Sequence, residues 1–171
     1  MDLKKFIRDI PNFPQKGIIF KDITPLLANS KAFKEAVNQF AKFAKKIKAK
    51  TIVGIDSRGF IFGGAVAYKL GLKFVPVRKK GKLPYSTVSQ AYNLEYSTNT
   101  AEMHTDAIKK NEKVLIIDDL LATGGTAKAA AQLVEKLGGK IAGIAFLVNL
   151  AFLKGAEKLK PYKILSLIKY E

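Results

Sequence analysis

The residues best suited to chemistry are two adjacent carboxylates, Asp118 and Asp119, followed by the turn Ala122-Thr123-Gly124-Gly125-Thr126. Gly124 and Gly125 let the backbone bend sharply and bring its N–H groups close to an anion. A helix starting there adds partial positive charge, and the threonine hydroxyls add donors, so this half of the turn suits a phosphate. The carboxylates suit vicinal hydroxyls, which donate to them. A ribose phosphate satisfies both halves at once. The bland alternative is a helix capped by Thr123 or Thr126 beside two solvated aspartates.

These residues need a scaffold that places them at one edge. Val114–Ile117 is too short for a helix face and reads as a buried parallel strand ending at the carboxylates. An Ala-rich helix over 127–137 follows and stops at Gly138-Gly139. In an open α/β sheet, ligands bind outside the carboxyl ends of strands. Two further strands end in basic turns. Thr51–Asp56 leads into Asp56-Ser57-Arg58-Gly59 and a helix over 60–70 that stops at Gly71. Lys73–Arg78 leads into Arg78-Lys79-Lys80-Gly81-Lys82-Leu83-Pro84, with Pro76 arguing against a central strand. Arg58 at such an edge grips a diphosphate, unless it is simply paired with Asp56.

The remaining elements carry less chemistry. Residues 1–10 read as a short helix ended by Pro11, and 18–20 as an extended segment. Ser30 reads as the N-cap of an amphipathic helix over 31–48. Residues 85–100 are polar, aromatic-dotted and without clear periodicity, and read as a lid or substrate loop. Strands follow over 140–150 and 164–168, separated by a loop with a short helical piece. The alternation of strands and helices indicates an α/β fold with a mostly parallel twisted sheet flanked by helices. His104, the only histidine, has no partner spacing for a triad or metal site and reads as structural.

Bulk composition bounds the rest. The chain has 171 residues, read as a single domain over 1–171, and no cysteine, which rules out disulfides and thiolate chemistry. No stretch has the length and character of a signal core or membrane span, so a cytoplasmic protein with no membrane partner is expected. The formal charge is +16, nearly all of it lysine, with only Arg8, Arg58 and Arg78 as arginines. Base reading favours arginine, and the lysines are spread along the chain. They read as a biased surface that steers polyphosphates inward, and no nucleic-acid partner is expected.

The string from Val114 to Ala127 resembles the phosphoribosyl pyrophosphate motif of the type I phosphoribosyltransferases. Phe13-Pro14 with Gly17–Leu26, then Gly54–Phe60, Arg78–Pro84 and Leu94-Glu95-Tyr96 are similar to segments of the adenine-specific branch, in order and across nearly the whole chain. The resemblance implies that fold, with a small hood from residues 1–30, and transfer of phosphoribose from 5-phosphoribosyl 1-pyrophosphate to adenine, giving AMP and diphosphate. It assigns the 5′-phosphate to Ala122, Thr123, Gly124, Gly125 and Thr126, and the ribose hydroxyls to Asp118 and Asp119. Diphosphate falls to Arg58, Lys79 and Lys82, with Mg²⁺ held mainly by substrate and water. Adenine is read by the Ile19 backbone and Lys21. Glu95 and Tyr96 belong to the lid, with Glu95 handling the N7 proton, and Asp119 joins them as catalytic. The resemblance further implies a cis Asp56–Ser57 peptide and a homodimer. Lys21, Tyr85, Ser97, Asn149 and Ala156 depart from the usual residues of the branch. Two alternatives stay open: transfer to a 6-oxopurine, or a non-catalytic sensor that binds nucleic acid.

Overall fold

The computed structural model describes residues 1–93 and 98–171. A seven-stranded sheet forms its centre. Its strands are β3 (Thr51–Ile55), β4 (Lys73–Lys79), β5 (Thr87–Asn93), β6 (Thr98–His104), β7 (Lys113–Leu121), β8 (Lys140–Leu150) and β9 (Ile164–Tyr170), in the order β5-β6-β4-β3-β7-β8-β9. β4, β3, β7, β8 and β9 run parallel, and β5 and β6 form an antiparallel pair at one side. A separate two-stranded ribbon, β1 (Arg8–Pro11) with β2 (Ile19–Asp22), stands outside this sheet and is followed by a short helix, α1 (Thr24–Ala28).

Period-two alternation splits the core into two layers. Ile52, Leu115 and Ile117 face α2 (Ser30–Lys46) and α3 (Arg58–Leu70), with Phe40 and Phe62 fully buried between them. Val53, Val114, Ile116 and Phe146 face α4 (Gly125–Lys136) and the β5–β6 pair. Each buried Phe contributes roughly 1.5–3 kcal/mol relative to exposure. A sheet covered on both faces explains the near-continuous apolar runs of its strands.

Four elements differ from the sequence reading. Residues 1–10 are not one helix: a 3-10 turn over Leu3–Phe6 precedes β1, because Leu3 alone is buried there while Arg8–Pro11 pairs with β2. The N-cap of α2 is Asn29 rather than Ser30, its Oδ1 accepting from the Ala32 N–H at 3.0 Å. Much of the stretch read as a loop is the β5–β6 ladder, whose inward residues Ala101 and Met103 are buried while Ser89 and Ala91 on the other face are exposed. Finally, β7 does not stop before the carboxylates. Its register with β8 continues to Leu121 opposite Asn149, which holds Asp118 and Asp119 inside the strand. Pro76 sits in a strand with neighbours on both sides, but β6 joins β4 only at Arg78 and Lys79, so its missing N–H interrupts no ladder bond.

Candidate active site

The carboxyl ends of β3, β4 and β7 surround a cavity of about 410 Å³. Its lining includes Asp56, Ser57, Arg58, Lys79, both aspartates and the whole turn 122–126. α3 and α4 both begin at this cavity. Neither has a side-chain cap, so neither threonine of the turn plays the capping role of the bland alternative. The first N–H groups of an uncapped helix are donors without intrahelical partners. Here they stand beside Thr123 and Thr126, which is the equipment for an anion.

Gly124 sits at φ +81°, in the left-handed region, and a Cβ there would lie 2.5 Å from the Gly155 carbonyl oxygen. Only a glycine meets both demands. Gly155 is equally constrained, since its own Cβ would collide with the Ala122 carbonyl. The turn is thus wedged from below by the chain after β8. Gly59 performs a similar service for α3: a Cβ there would lie 2.8 Å from the Ile117 carbonyl and 3.0 Å from Asp118 Oδ1. Close approach of α3 to β7 brings the arginine beside the carboxylates.

Asp119 is 5 % exposed, and its Oδ2 lies 2.9 Å from Arg58 Nε. The approach is off-line, so this buried oxygen accepts no hydrogen bond from any described residue. Asp118 Oδ1 accepts from the Asp119 N–H at 2.9 Å. Burial, and then the charge of Asp119, push the Asp118 carboxyl well above the usual carboxylate range. Burial also raises Asp119, against the pull of Arg58. Asp119 Oδ2 is therefore the one oxygen of the pair that is buried without a donor among the described residues, and the hydroxyl of a ligand would supply it. Asp56 is not the partner of Arg58: its Oδ2 accepts from Arg78 Nε at 2.9 Å. The Asp56–Ser57 peptide is cis.

A family model described as "Phosphoribosyl transferase domain" matches residues 25–169. An adenine phosphoribosyltransferase of Thermotoga sp. (strain RQ2) is 56 % identical over 170 residues, 99 % of this chain and 100 % of that protein. The crystal structure of adenine phosphoribosyltransferase from Thermoanaerobacter pseudethanolicus superposes with a TM-score of 0.95 at 52 % identity, covering 98 % of each chain. The chain belongs to the adenine phosphoribosyltransferase family. Its fold is that of the type I phosphoribosyltransferases. A member from Saccharomyces cerevisiae, solved in complex with an imino-altritol bisphosphate and adenine, superposes at a TM-score of 0.92 with 40 % identity, covering 96 % of each chain.

Not every residue expected of an adenine phosphoribosyltransferase lines the cavity. Lys79 does, whereas Lys82 is exposed and contributes its carbonyl to Arg78 at 3.2 Å. Ile19 and Lys21 lie on the β1–β2 ribbon. Ile19 is exposed, and Lys21 is buried, with its Nζ 2.7 Å from Asp9 Oδ1 and 4.1 Å from the centre of the Tyr170 ring. Phe20 of the ribbon meets a cavity-lining residue, Arg58, whose guanidinium lies 5.2 Å from the centre of its ring. Glu95, Tyr96 and Ser97 lie outside the described residues.

Sequence reasoning missed Asn99, and it saw Tyr92 only as part of a loop; both line the cavity from the β5–β6 ladder. Period-two alternation, of Val88, Gln90 and Tyr92 on one strand and of Asn99, Ala101 and Met103 on the other, is the signal that would have found them. It also passed over Glu102, a buried acid that accepts from the Gly81 N–H at 2.9 Å and from the Ser89 hydroxyl at 3.2 Å. Glu102 thereby fixes the basic turn after β4.

Proposed function

We propose that this chain joins adenine to 5-phosphoribosyl 1-pyrophosphate, releasing AMP and diphosphate, as an enzyme of purine salvage. The observation that carries the reading is the pairing of an uncapped helix start at Gly125 with a buried, donor-less oxygen on Asp119 in one cavity. One end calls for a phosphate and the other for hydroxyls. Ala122–Thr126 receive the 5′-phosphate, and Asp118 and Asp119 accept from the ribose hydroxyls. Arg58, Lys79 and Lys82 meet the diphosphate, Lys82 by a swing of its exposed side chain.

Departure of diphosphate leaves an oxocarbenium-like ribosyl centre. Arg58 and Lys79 favour that departure as charge grows on the leaving group, and the nearby carboxylates favour the cationic sugar. Residues 1–30 form the hood over adenine, with the Ile19 backbone and Lys21 at its edge. Glu95 and Tyr96 belong to the lid, where Glu95 takes the N7 proton; general-base help of this kind is worth about 10²–10⁴-fold.

A divalent ion, Mg²⁺ on this reading, neutralises developing charge on the diphosphate. Among the described residues no three His, Cys, Asp or Glu side chains gather into a metal cage. On this reading the ion is carried by substrate phosphates and water, which is how Mg²⁺ is commonly held. Asp118 and Asp119 are the carboxylates that water on such an ion would meet.

We also read the protein as cytoplasmic and as a homodimer. No helix among the described residues is long and apolar enough to cross a membrane. Exposed Ile61 and Tyr68, seven residues apart on α3, offer one apolar face to a second copy. Incubation with phosphoribosyl pyrophosphate, Mg²⁺ and each purine base tests the activity. AMP formed from adenine, with hypoxanthine, guanine and xanthine inert, is the expected result. Turnover of a 6-oxopurine with adenine inert overturns it.

A further inference from the structure

The lysines that look scattered along the chain are gathered in space. β3, β7 and β8 are adjacent and parallel, so their first residues share one sheet edge, opposite the cavity. Lys50 immediately precedes β3, and its N–H donates to the Lys113 carbonyl at 2.8 Å. Lys113 begins β7 and is the register partner of Lys140, which begins β8. With neighbouring strands ~4.8 Å apart, these three exposed lysines form a row about 10 Å long. Lys45 and Lys48, at the end of α2, extend it. Lys45, Lys48, Lys50 and Lys113 line a hollow of about 580 Å³.

Glu112 is the one acid in that lining, and its oxygens are already engaged. They accept from the Thr51 hydroxyl at 2.6 Å, from the Lys109 N–H at 2.7 Å and from Lys73 Nζ at 3.0 Å. Lys45, Lys48, Lys50, Lys113 and Lys140 have no ion-pair partner among the described residues. A lysine in the last turn of a helix answers the helix dipole, which accounts for Lys45. Lys50, Lys113 and Lys140 sit at strand starts, where no such dipole needs them. Clustered like charges instead raise the local concentration of anions. The hollow has neither aromatic nor arginine in its lining, so it offers no base stacking and no bidentate base reading.

We propose that this edge is a second binding surface, which takes the phosphodiester backbone of a double-stranded nucleic acid without reading its sequence. Release of condensed counterions makes the logarithm of the binding constant fall by about 0.9 per phosphate contact for each tenfold rise in salt. Four or five lysine contacts then give a slope near about −4.

The test is fluorescence anisotropy of a labelled duplex DNA of roughly two helical turns with the full chain, titrated at several KCl concentrations. Expected are micromolar affinity at low salt and the slope above. The triple variant Lys50→Gln/Lys113→Gln/Lys140→Gln should bind at least about tenfold more weakly and lose roughly 2.7 from the slope. Lys113→Gln alone should lose about 0.9. A control carrying Lys31→Gln and Lys34→Gln, both exposed at the start of α2 and so at the opposite end of that helix from Lys45, should bind as the parent does. AMP formation by the triple variant should match the parent, which also reports an intact fold. The proposal is overturned if the duplex does not bind, or if the triple variant and the control behave alike. Binding of inorganic polyphosphate without binding of the duplex overturns it too, and assigns the edge to another polyanion.

Discussion

Asp119 holds the most exposed commitment of the site, because a buried oxygen without a hydrogen-bond donor is costly until a ligand supplies one. Asp119→Asn keeps the shape and removes the charge. It should lower kcat/KM for phosphoribosyl pyrophosphate roughly 10- to 100-fold, the range expected for losing a hydrogen bond to a charged group. The circular dichroism spectrum should not change. An unfolded Asp119→Asn protein would mean that the carboxylate serves the fold and not the substrate. Gly124 makes a separate demand. Gly124→Ala forces a Cβ against the Gly155 carbonyl at a φ that side chains resist. If the turn 122–126 receives the phosphate as proposed, ribose 5-phosphate affinity, measured by calorimetry, should drop at least about tenfold, the fold-change equivalent to ~1.4 kcal/mol of strain placed on that turn. Unchanged affinity would remove this turn from the site.

At the scale of elements, the cavity depends on turns that other strands hold in place. Glu102 on β6 pins the turn after β4 by accepting from the Gly81 N–H. Glu102→Ala removes the acceptor that ties the exposed Gly81 N–H to β6, and water can take its place, so the loss falls on the position of the turn more than on stability. The turn carrying Lys79 should loosen, raising KM for phosphoribosyl pyrophosphate several-fold with a smaller change in kcat. A KM equal to that of the parent would show that Lys79 is positioned by β4 alone. The same scale shows how far the chain could be read in advance. Apolar runs over 51–55, 114–117 and 140–150 announced buried strands because both sheet faces are covered. The β5–β6 ladder did not announce itself, because Gln90 and Asn99 interrupt the apolar positions of its inner face and the Ser and Thr of its outer face resemble a loop. β1 was hidden for another reason: its pairing with β2 is a backbone ladder between residues 8 to 14 apart, from Pro11 opposite Ile19 to Arg8 opposite Asp22, flanked by the ion pairs Asp9–Lys21 and Arg8–Asp22. No local periodicity encodes them.

For the whole molecule, the aspartate pair makes stability depend on pH in an unusual direction. A carboxyl with a raised folded-state pKa keeps its proton after the unfolded chain has lost it. Its contribution is complete below the ordinary carboxylate pKa of about 4 and disappears as pH rises through the folded value. Asp118, raised first by burial and then by Asp119, dominates this behaviour. Glu112 acts in the opposite sense. Burial would raise it, but the Thr51 hydroxyl, the Lys109 N–H and Lys73 outweigh burial and lower it. Its contribution is present above the ordinary glutamate pKa and lost as pH falls through the folded value. Tm of the ligand-free protein should therefore peak in weakly acidic solution and decline towards neutrality. Asp118→Asn should flatten the decline and raise Tm at neutral pH, as followed by scanning calorimetry. A Tm profile for Asp118→Asn parallel to that of the parent would show that the pair does not hold the proton.

The sequence by itself determined the α/β class, the strand bearing Asp118 and Asp119, the glycine turn after it and the basic turns that meet it. Each is written locally, in runs of apolar residues and in residue types that only certain backbone shapes accept. Tertiary structure decided what depends on distant partners. It gave Arg58 to Asp119 and Asp56 to Arg78, set Gly155 beneath Gly124, and turned lysines far apart in the chain into one charged edge. Parallel strands bring residues together by register across the sheet, and register is absent from any single stretch of sequence.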